Sequence, residues 1–321
     1  MPRTDKVIII SGATCTGKTD ASIMLAKYHP EINFEIINFD SLLFYKDINI
    51  GTAKPTDNEL KEIKHHLVNI NSIDNEINAS DFVELAQETM LSLLDKEITP
   101  ILVGGSTFYL RALLKGMYES ESTDDTIRNH FDKIYKDDGI APIITYLKNH
   151  DKESLVQIHE NDHYRLIRAC EYHKQTGNKI SLQKKSFDQM NPYDFSENQF
   201  KNIDFHHINL TIEKDQHWSL MESRAQKMID LGLIDEVKEL LSSKYSGKEK
   251  PLQSIGYKET IQFINGEIVS KEELIERIYI NTRRLAKSQK TFLNKVTPKV
   301  TFNYLQQKQE ISDSARRFLS E

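Results

Sequence analysis

Apolar residues along the first third of the chain switch between two patterns. Lys6 to Ser11 is a short β-branched run that stops in Gly12, as a strand buried on both faces does. Asp20 to Tyr28 is rich in good helix formers, and Phe34 to Phe39 is a second apolar run ending at Asp40. Between Ser80 and Lys96, Phe82, Leu85, Ala86, Met90, Leu93 and Leu94 fall on one stripe at helical spacing, and Ile101 to Val103 reads as a third buried strand. Strands alternating with helices predict an α/β fold with a parallel sheet.

From about Glu119 the pattern changes. The stretch ESESTDD is acidic and polar, and from there to about residue 200 the chain is helical in pattern with few strand signals. An all-helical domain over 119–200 is therefore expected as an insertion into a core made of 1–118 and 201–321. Phe205 to Ile212 reads as a strand again, returning the chain to the first sheet. Ser270 followed by Glu273 is a capping box, opening a helix that should run to about Lys295. No internal repeat or low-complexity tract interrupts the series.

Composition narrows the classes. The chain has 321 residues, 38% of them apolar and 28% charged, enough for one large or two modest domains and against a mainly disordered chain. Asp plus Glu number 48 against 42 Lys plus Arg, a net charge of −6 that disfavours indiscriminate adhesion to nucleic acid. Any nucleic-acid site must be local. Residues 277 to 299 hold seven Lys or Arg and no Asp or Glu, with Arg283, Lys287 and Lys290 on one helix face and Ile278, Leu285 and Phe292 expected on the packing side. The alternative is a solvated basic helix. Cys15 and Cys170 form neither a disulfide framework nor a metal spacing, and no apolar run is long enough for a membrane span or signal peptide, so a soluble cytoplasmic protein is expected.

The segment Gly12-Ala13-Thr14-Cys15-Thr16-Gly17-Lys18-Thr19 fits G-x4-G-K-[ST] between a buried strand and a helix. Its glycines let successive N–H groups turn around a phosphate at a helix N-terminus, Lys18 adds a point charge, and the Thr19 hydroxyl suits Mg²⁺. The motif leaves open whether the ligand is ATP, another nucleotide or a different diphosphate. A nucleotide-hydrolysing protein usually ends a further strand in a Walker-B Asp, but Ile101-Leu102-Val103 ends in Gly104-Gly105-Ser106. The carboxylate stands instead at Asp40, just past the second strand, where open α/β sheets form their ligand crevice. Asp40 is a candidate base or metal partner; the alternative is a loop cap.

Several stretches resemble one family in order: GATCTGKT, NFDSLLFYKDINIGTAKP (Asn38 to Pro55), HHL (His65 to Leu67), VGGSTFYLRALLKG (Val103 to Gly116), IHENDHYRLIRACE (Ile158 to Glu171), TGNKIS (Thr176 to Ser181), IGYKE (Ile255 to Glu259) and TRRLAKSQKTFL (Thr282 to Leu293). They resemble the tRNA dimethylallyltransferases, also called tRNA isopentenyltransferases. The resemblance implies a P-loop NTPase-like core with an inserted helical domain that binds tRNA. It also implies transfer of a dimethylallyl group from dimethylallyl diphosphate to N6 of adenosine 37 beside the anticodon, with the loop holding diphosphate rather than ATP. Asp40, Ser106, Lys18 and Arg128 would be catalytic and Thr19 would hold Mg²⁺.

By the same resemblance, tRNA would be met by Asp40, Ser41, Leu42, Leu43, Ser106 and Arg128, by Tyr164, Arg165 and Arg168, by Gln253, Gly256, Tyr257 and Lys258, and by Arg283, Lys287, Gln289 and Lys290. Tyr164 and Tyr257 are candidates to stack on nucleotides, although a helix tyrosine is commonly core or rim. His65 and His66 lack a third ligand at a recognisable spacing and are assigned no metal. Departures from the family pattern are Ser106 for the usual Thr, Lys64 for Pro, Ser288 for a basic residue and Phe292 for Trp. No Cys/His pair comes after the basic helix, which points to the bacterial form, and a monomer is expected.

Three other readings stand beside this one. A small-molecule kinase would use the same loop but would want the Walker-B acid and would not need the basic helix. A non-catalytic RNA-binding switch would not need Asp40 and the Ser106 hydroxyl. Prenylation of a free adenine nucleotide would need neither the inserted domain nor the basic stripe.

Overall fold

The computed structural model describes residues 4–117, 124–187 and 191–321. Its strands are β1 (Asp5–Gly12), β2 (Phe34–Asn38), β3 (His65–His66), β4 (Thr99–Gly104), β5 (Ile203–Thr211) and β6 (Val300–Asn303). Its helices are α1 (Lys18–Tyr28), α2 (Asp57–Glu62), α3 (Ala79–Leu94), α4 (Thr107–Lys115), α5 (Asp125–Asp138), α6 (Ala141–His150), α7 (Ser154–Gln157), α8 (His163–Thr176), α9 (Ile180–Phe187), α10 (Lys214–Asp230), α11 (Leu233–Ser242), α12 (Tyr257–Ile264), α13 (Lys271–Lys295) and α14 (Lys308–Ser320). The chain divides into two compact units, Met1–Gly116 with Phe195–Glu321, and Met117–Asp194. The acidic stretch Glu119 to Thr123, which marks the insertion in the sequence, lies outside the described residues.

In the first unit all six strands are parallel, in the order β3-β2-β4-β1-β5-β6. Ile8 of β1 pairs with Ile101 of β4 on one side and with His206 of β5 on the other. Val7, Ile8, Ile9 and Ile10 are fully buried because helices cover both faces, which is why β1 reads as an unbroken apolar run. Each such side chain contributes about 1.5–3 kcal/mol relative to exposure. On one face Ile8, Ile10, Ile36, Ile101 and Ile208 pack with Leu25 of α1 and Ile311 of α14.

Two short strands escape the sequence pattern. β3 is only two residues long and is fixed by side chains: His66 Nε2 lies 2.5 Å from Glu35 Oε2, and His65 Nδ1 lies 2.8 Å from Ile63 O. β6 is a half-exposed edge strand that, among the described residues, pairs with β5 alone. Helix starts are easier to read: Asn78 and Asp81 cap α3 reciprocally, and Ser270 Oγ accepts from Glu273 N at the start of α13.

The basic helix corrects one expectation. Leu274, Ile278, Ala286 and Leu293 form its buried line, whereas Leu285 is 42% and Phe292 is 39% exposed. Ala286 and Leu293 lie about 60–80° around the helix from Ile278, so the buried side turns along α13 and leaves Leu285 and Phe292 outside it.

The second unit is helical, α5 to α9, around Phe131, Ile143, Leu147, Leu166 and Cys170. Buried Asp151 joins its segments by accepting from Ser154 Oγ, Ser181 Oγ and Ser181 N. Burial pushes the Cys170 thiol up to about 12, so this cysteine is a packing residue rather than a nucleophile.

Candidate active site

Three adjacent strands, β2, β4 and β1, end side by side, and the loops that leave them build the crevice. After β1 the chain turns through the phosphate loop. A Cβ on Gly12 would lie 2.4 Å from Thr16 Oγ1 and 2.8 Å from Leu210 O, and one on Gly17, at φ 82°, would enter the Tyr304 ring. Thr16 Oγ1 and Lys18 Nζ both donate to Ala13 O, at 2.8 and 3.0 Å, which curls the loop on itself. No side chain caps the start of α1, and none caps the start of α4 at Ser106. Two helix N-termini therefore present uncapped N–H groups at the carboxyl ends of neighbouring strands, the arrangement that favours anions.

A second set of residues braces this loop, and motif reading passes over most of it. Arg224 of α10 donates from Nη1 to Thr14 Oγ1 at 2.8 Å and lies 3.5 Å from Cys15 Sγ, while its buried Nε has no partner among the described residues. His217, two turns earlier on the same helix, bonds Thr14 O through Nε2 at 2.7 Å. Burial, with Lys290 and Lys18 nearby, holds His217 below its ordinary value, so the neutral ring donates Nε2–H. Gln289 of α13 accepts from Thr14 N at 2.8 Å and donates to Gly105 O at 3.1 Å, joining the phosphate loop to the loop after β4.

Packing of Phe39 on Gly104 explains the missing acid. A Cβ on Gly104 would lie 2.5 Å from the Phe39 ring, and one on Gly105 would lie 2.6 Å from Gln289 Nε2. The end of β4 has no room for a side chain, whatever its charge.

Asp40 leaves the end of β2 held by its backbone. Its N–H donates to Asn38 Oδ1 at 2.9 Å, and Asn38 Nδ2 donates to Asp40 O and Leu67 O. One carboxylate oxygen accepts from Leu42 N at 3.4 Å, a long bond for a cap. Desolvation draws Lys18 down to about 8, opposed by the charge of Asp40 and reinforced by Arg224, so these three groups share one field. Ser41, Leu42 and Leu43 come directly after Asp40 in a half-buried 3₁₀ turn.

The structure thus brings together the phosphate loop, Asp40, the Gly105–Ser106 turn and Gln289. Other expected residues lie apart or do something else. Tyr257 is fully buried, donating to Glu236 Oε1 and accepting from Gly51 N at 3.1 Å, so it cannot stack on a nucleotide. A Cβ on Gly51 would lie 2.4 Å from its ring, so IGTAKP and IGYKE are two halves of one packing lock. Gly256 lies buried within that lock, at φ 96°, against Gly51. Only Gln253 and Lys258 of this group are exposed, and Gln253 Nε2 donates to Gly247 O. Gln289 is likewise a clamp between two loops rather than a free RNA contact.

In the second unit, Arg128 is half-exposed and lies 3.6 Å from Asp125, Arg165 and Arg168 pair at 2.6 Å with Asp162 and Glu171, and Tyr164 is 72% exposed. Arg283, Lys287 and Lys290 of α13 line a cavity together with Lys214, His217, Trp218 and Met221 of α10. Among the described residues no helix is long and apolar enough to cross a membrane.

Fold and crevice define a P-loop α/β protein whose phosphate cradle faces a carboxylate and lacks an acid on the neighbouring strand. Residues 43–296 match the model of one family, IPP transferase. The chain is 36% identical over 302 residues to a tRNA dimethylallyltransferase of Fervidobacterium nodosum, covering 94% of this chain and 91% of that one. It is 34% identical over 290 residues to tRNA dimethylallyltransferase 2 of Geotalea daltonii, covering 90% and 85%. The crystal structure of a full-length tRNA isopentenylpyrophosphate transferase from Bacillus halodurans superposes with a TM-score of 0.70 at 28% identity, covering 98% of this chain and 97% of that one. A eukaryotic dimethylallyltransferase acting on tRNA gives 0.76 at 26% identity, covering 99% and 80%. The chain belongs to the IPP transferase family.

Proposed function

We propose that the protein transfers a dimethylallyl group from dimethylallyl diphosphate to N6 of adenosine 37 of tRNA, releasing diphosphate. The observation that carries this reading is a phosphate cradle set against Asp40 with a side-chain-free turn, Gly104-Gly105, where a nucleotide-hydrolysing site would keep an acid.

The loop N–H groups, Lys18 and Arg224 hold the diphosphate, and the orphaned Nε–H of Arg224 is a donor ready for one of its oxygens. The adenine N6 lone pair attacks C1 of the prenyl chain as the C1–O bond breaks, and the bonding pair leaves on the diphosphate. Asp40 accepts the N6 proton, which raises the nucleophilicity of an amine otherwise conjugated to its ring. The preorganised donors stabilise the charge that builds on the leaving group. Ser106, whose hydroxyl makes no cap bond, is offered to the diphosphate or the adenosine.

The Thr19 hydroxyl is a hard oxygen donor of the kind Mg²⁺ takes alongside substrate phosphates. When bound, the ion would neutralise part of the diphosphate charge. We assign tRNA contacts to Ser41, Leu42 and Leu43 beside Asp40, to Arg283, Lys287 and Lys290 on α13, to Lys258 and Gln253, and in the second unit to Arg128, Tyr164, Arg165 and Arg168. The two free cysteines suit a reducing cytoplasm, where a single copy would act.

The test is incubation of the purified protein with Mg²⁺, dimethylallyl diphosphate and unmodified tRNA, followed by nucleoside digestion and mass spectrometry. N6-dimethylallyladenosine is the expected product; its absence would contradict the reading.

A further inference from the structure

The chain has one tryptophan, Trp218, and it stands in a cavity of about 450 Å³ between α10 and α13. Lys214, Arg283, Arg284, Lys287 and Lys290 line that cavity, and among the described residues no carboxylate does. The Arg283 guanidinium lies 3.8 Å from the centroid of the half-buried indole, and the Lys214 ammonium lies 4.5 Å from it. The floor is fixed: Met221 and Ala286 are buried against Ala13 of the phosphate loop, and His217 is tied to Thr14 O.

Five like charges around one cavity repel each other, and an anion relieves that repulsion. The aromatic floor narrows the choice of anion. A bare diphosphate makes no use of an indole, whereas an unpaired nucleotide uses both features, its base stacking on the ring and its phosphates meeting the cations. The Arg283 guanidinium is planar and cationic, so it covers the ring as a base would and is free to turn to a phosphate when a base replaces it.

We propose that this cavity seats one unpaired nucleotide of the RNA acceptor, base on Trp218 and phosphates on Lys287 and Lys290. The RNA surface then extends from α13 onto α10 through Trp218 and Lys214. This inference rests on the reading of the protein as an enzyme acting on tRNA.

The single tryptophan makes the test direct. Unmodified tRNA titrated into the full-length protein, with selective tryptophan excitation and free tryptophan as the inner-filter control, quenches the Trp218 emission, and dimethylallyl diphosphate alone leaves it unchanged. Trp218→Ala raises the KM for tRNA about tenfold, leaves the KM for dimethylallyl diphosphate unchanged, and Trp218→Phe restores most of the affinity. Lys214→Ala, at an exposed position, weakens tRNA binding and flattens its salt dependence. Quenching by the diphosphate instead of tRNA, or unchanged tRNA affinity in both variants, would overturn the proposal while wild-type prenyl transfer stood. A wild-type protein that fails to prenylate tRNA would sink the underlying reading, and the titration would still decide what the cavity binds.

Discussion

Replacing Gln289 by leucine removes two hydrogen bonds at once, the one from Thr14 N at 2.8 Å and the one to Gly105 O at 3.1 Å. A neutral bond contributes about 0.5–1.5 kcal/mol net, so the pair is worth about 1–3 kcal/mol. The two loops it joins are the phosphate loop and the turn that opens α4, and the proposed reaction depends on their relative placement. Each 1.4 kcal/mol or so lost from that arrangement slows turnover about tenfold, which puts the effect between about fivefold and 150-fold. Gln289→Glu separates the two bonds: it keeps the acceptor for Thr14 N but turns a carboxylate toward Gly105 O, and it should fall at least as far. The assay is steady-state prenyl transfer at saturating tRNA with dimethylallyl diphosphate varied, alongside thermal unfolding and filter binding of tRNA. The expected result is lower kcat/KM for the diphosphate substrate, a melting temperature a few degrees lower and tRNA affinity within about twofold of wild type. Weaker tRNA binding with unchanged kcat/KM would refute the clamp and return Gln289 to the RNA surface.

Three further outcomes are expected from the same geometry. Asp40→Asn keeps the shape of the side chain but not its basicity, and should slow transfer by about 10²–10⁴-fold with tRNA affinity unchanged; a matching loss of affinity would make Asp40 an RNA contact. Tyr257→Phe leaves Gly51 N and Glu236 without their phenol and should destabilise the protein by about 1.5–3 kcal/mol in denaturant unfolding, with no change in RNA affinity once folded. His207, on β5 between β1 and β6, is buried, bonds Ser11 Oγ at 2.7 Å, and is pulled down to about 3 by burial. The unfolded chain therefore binds its proton first as pH falls below about 6.5, and stability should be full above that value and drop by up to about 1.4 kcal/mol per pH unit toward 3. His207→Gln should show a shallower acid slope than wild type in pH-dependent melts, and an identical slope would exclude the ring as its source.

How much was legible differs from element to element. β1, β2 and β4 announce themselves through short apolar runs because burial on both faces demands them, β5 does so less cleanly with Asp204, His206, His207 and Asn209 in its run, and α3 is read from its apolar stripe and α13 from its cap. β3 is too short for periodicity, and its cause is a His66–Glu35 contact between residues distant in sequence. The phosphate loop and Asp40 are readable since backbone geometry dictates their glycines and strand ends. Arg224 and His217 are not, because they act from within a helix that carries no motif. Their one signal is placement: Met221, Ala225 and Met228 mark the buried line of α10, with His217 on that line and Arg224 beside it. A cation beside a packing stripe needs a partner, and here the partner is the phosphate loop. Tyr257 misleads in the opposite way, since its motif records a lock on Gly51 rather than an RNA contact.

The central claim is that the cradle holds a diphosphate leaving group and not a nucleotide to be hydrolysed. Measuring diphosphate release and N6-dimethylallyladenosine in one reaction, with ATP present beside dimethylallyl diphosphate and unmodified tRNA, tests it most directly. The account predicts one diphosphate per prenylated adenosine, dependent on both substrates, with ATP untouched. Cleavage of ATP, or diphosphate released without a prenylated nucleoside, would contradict it.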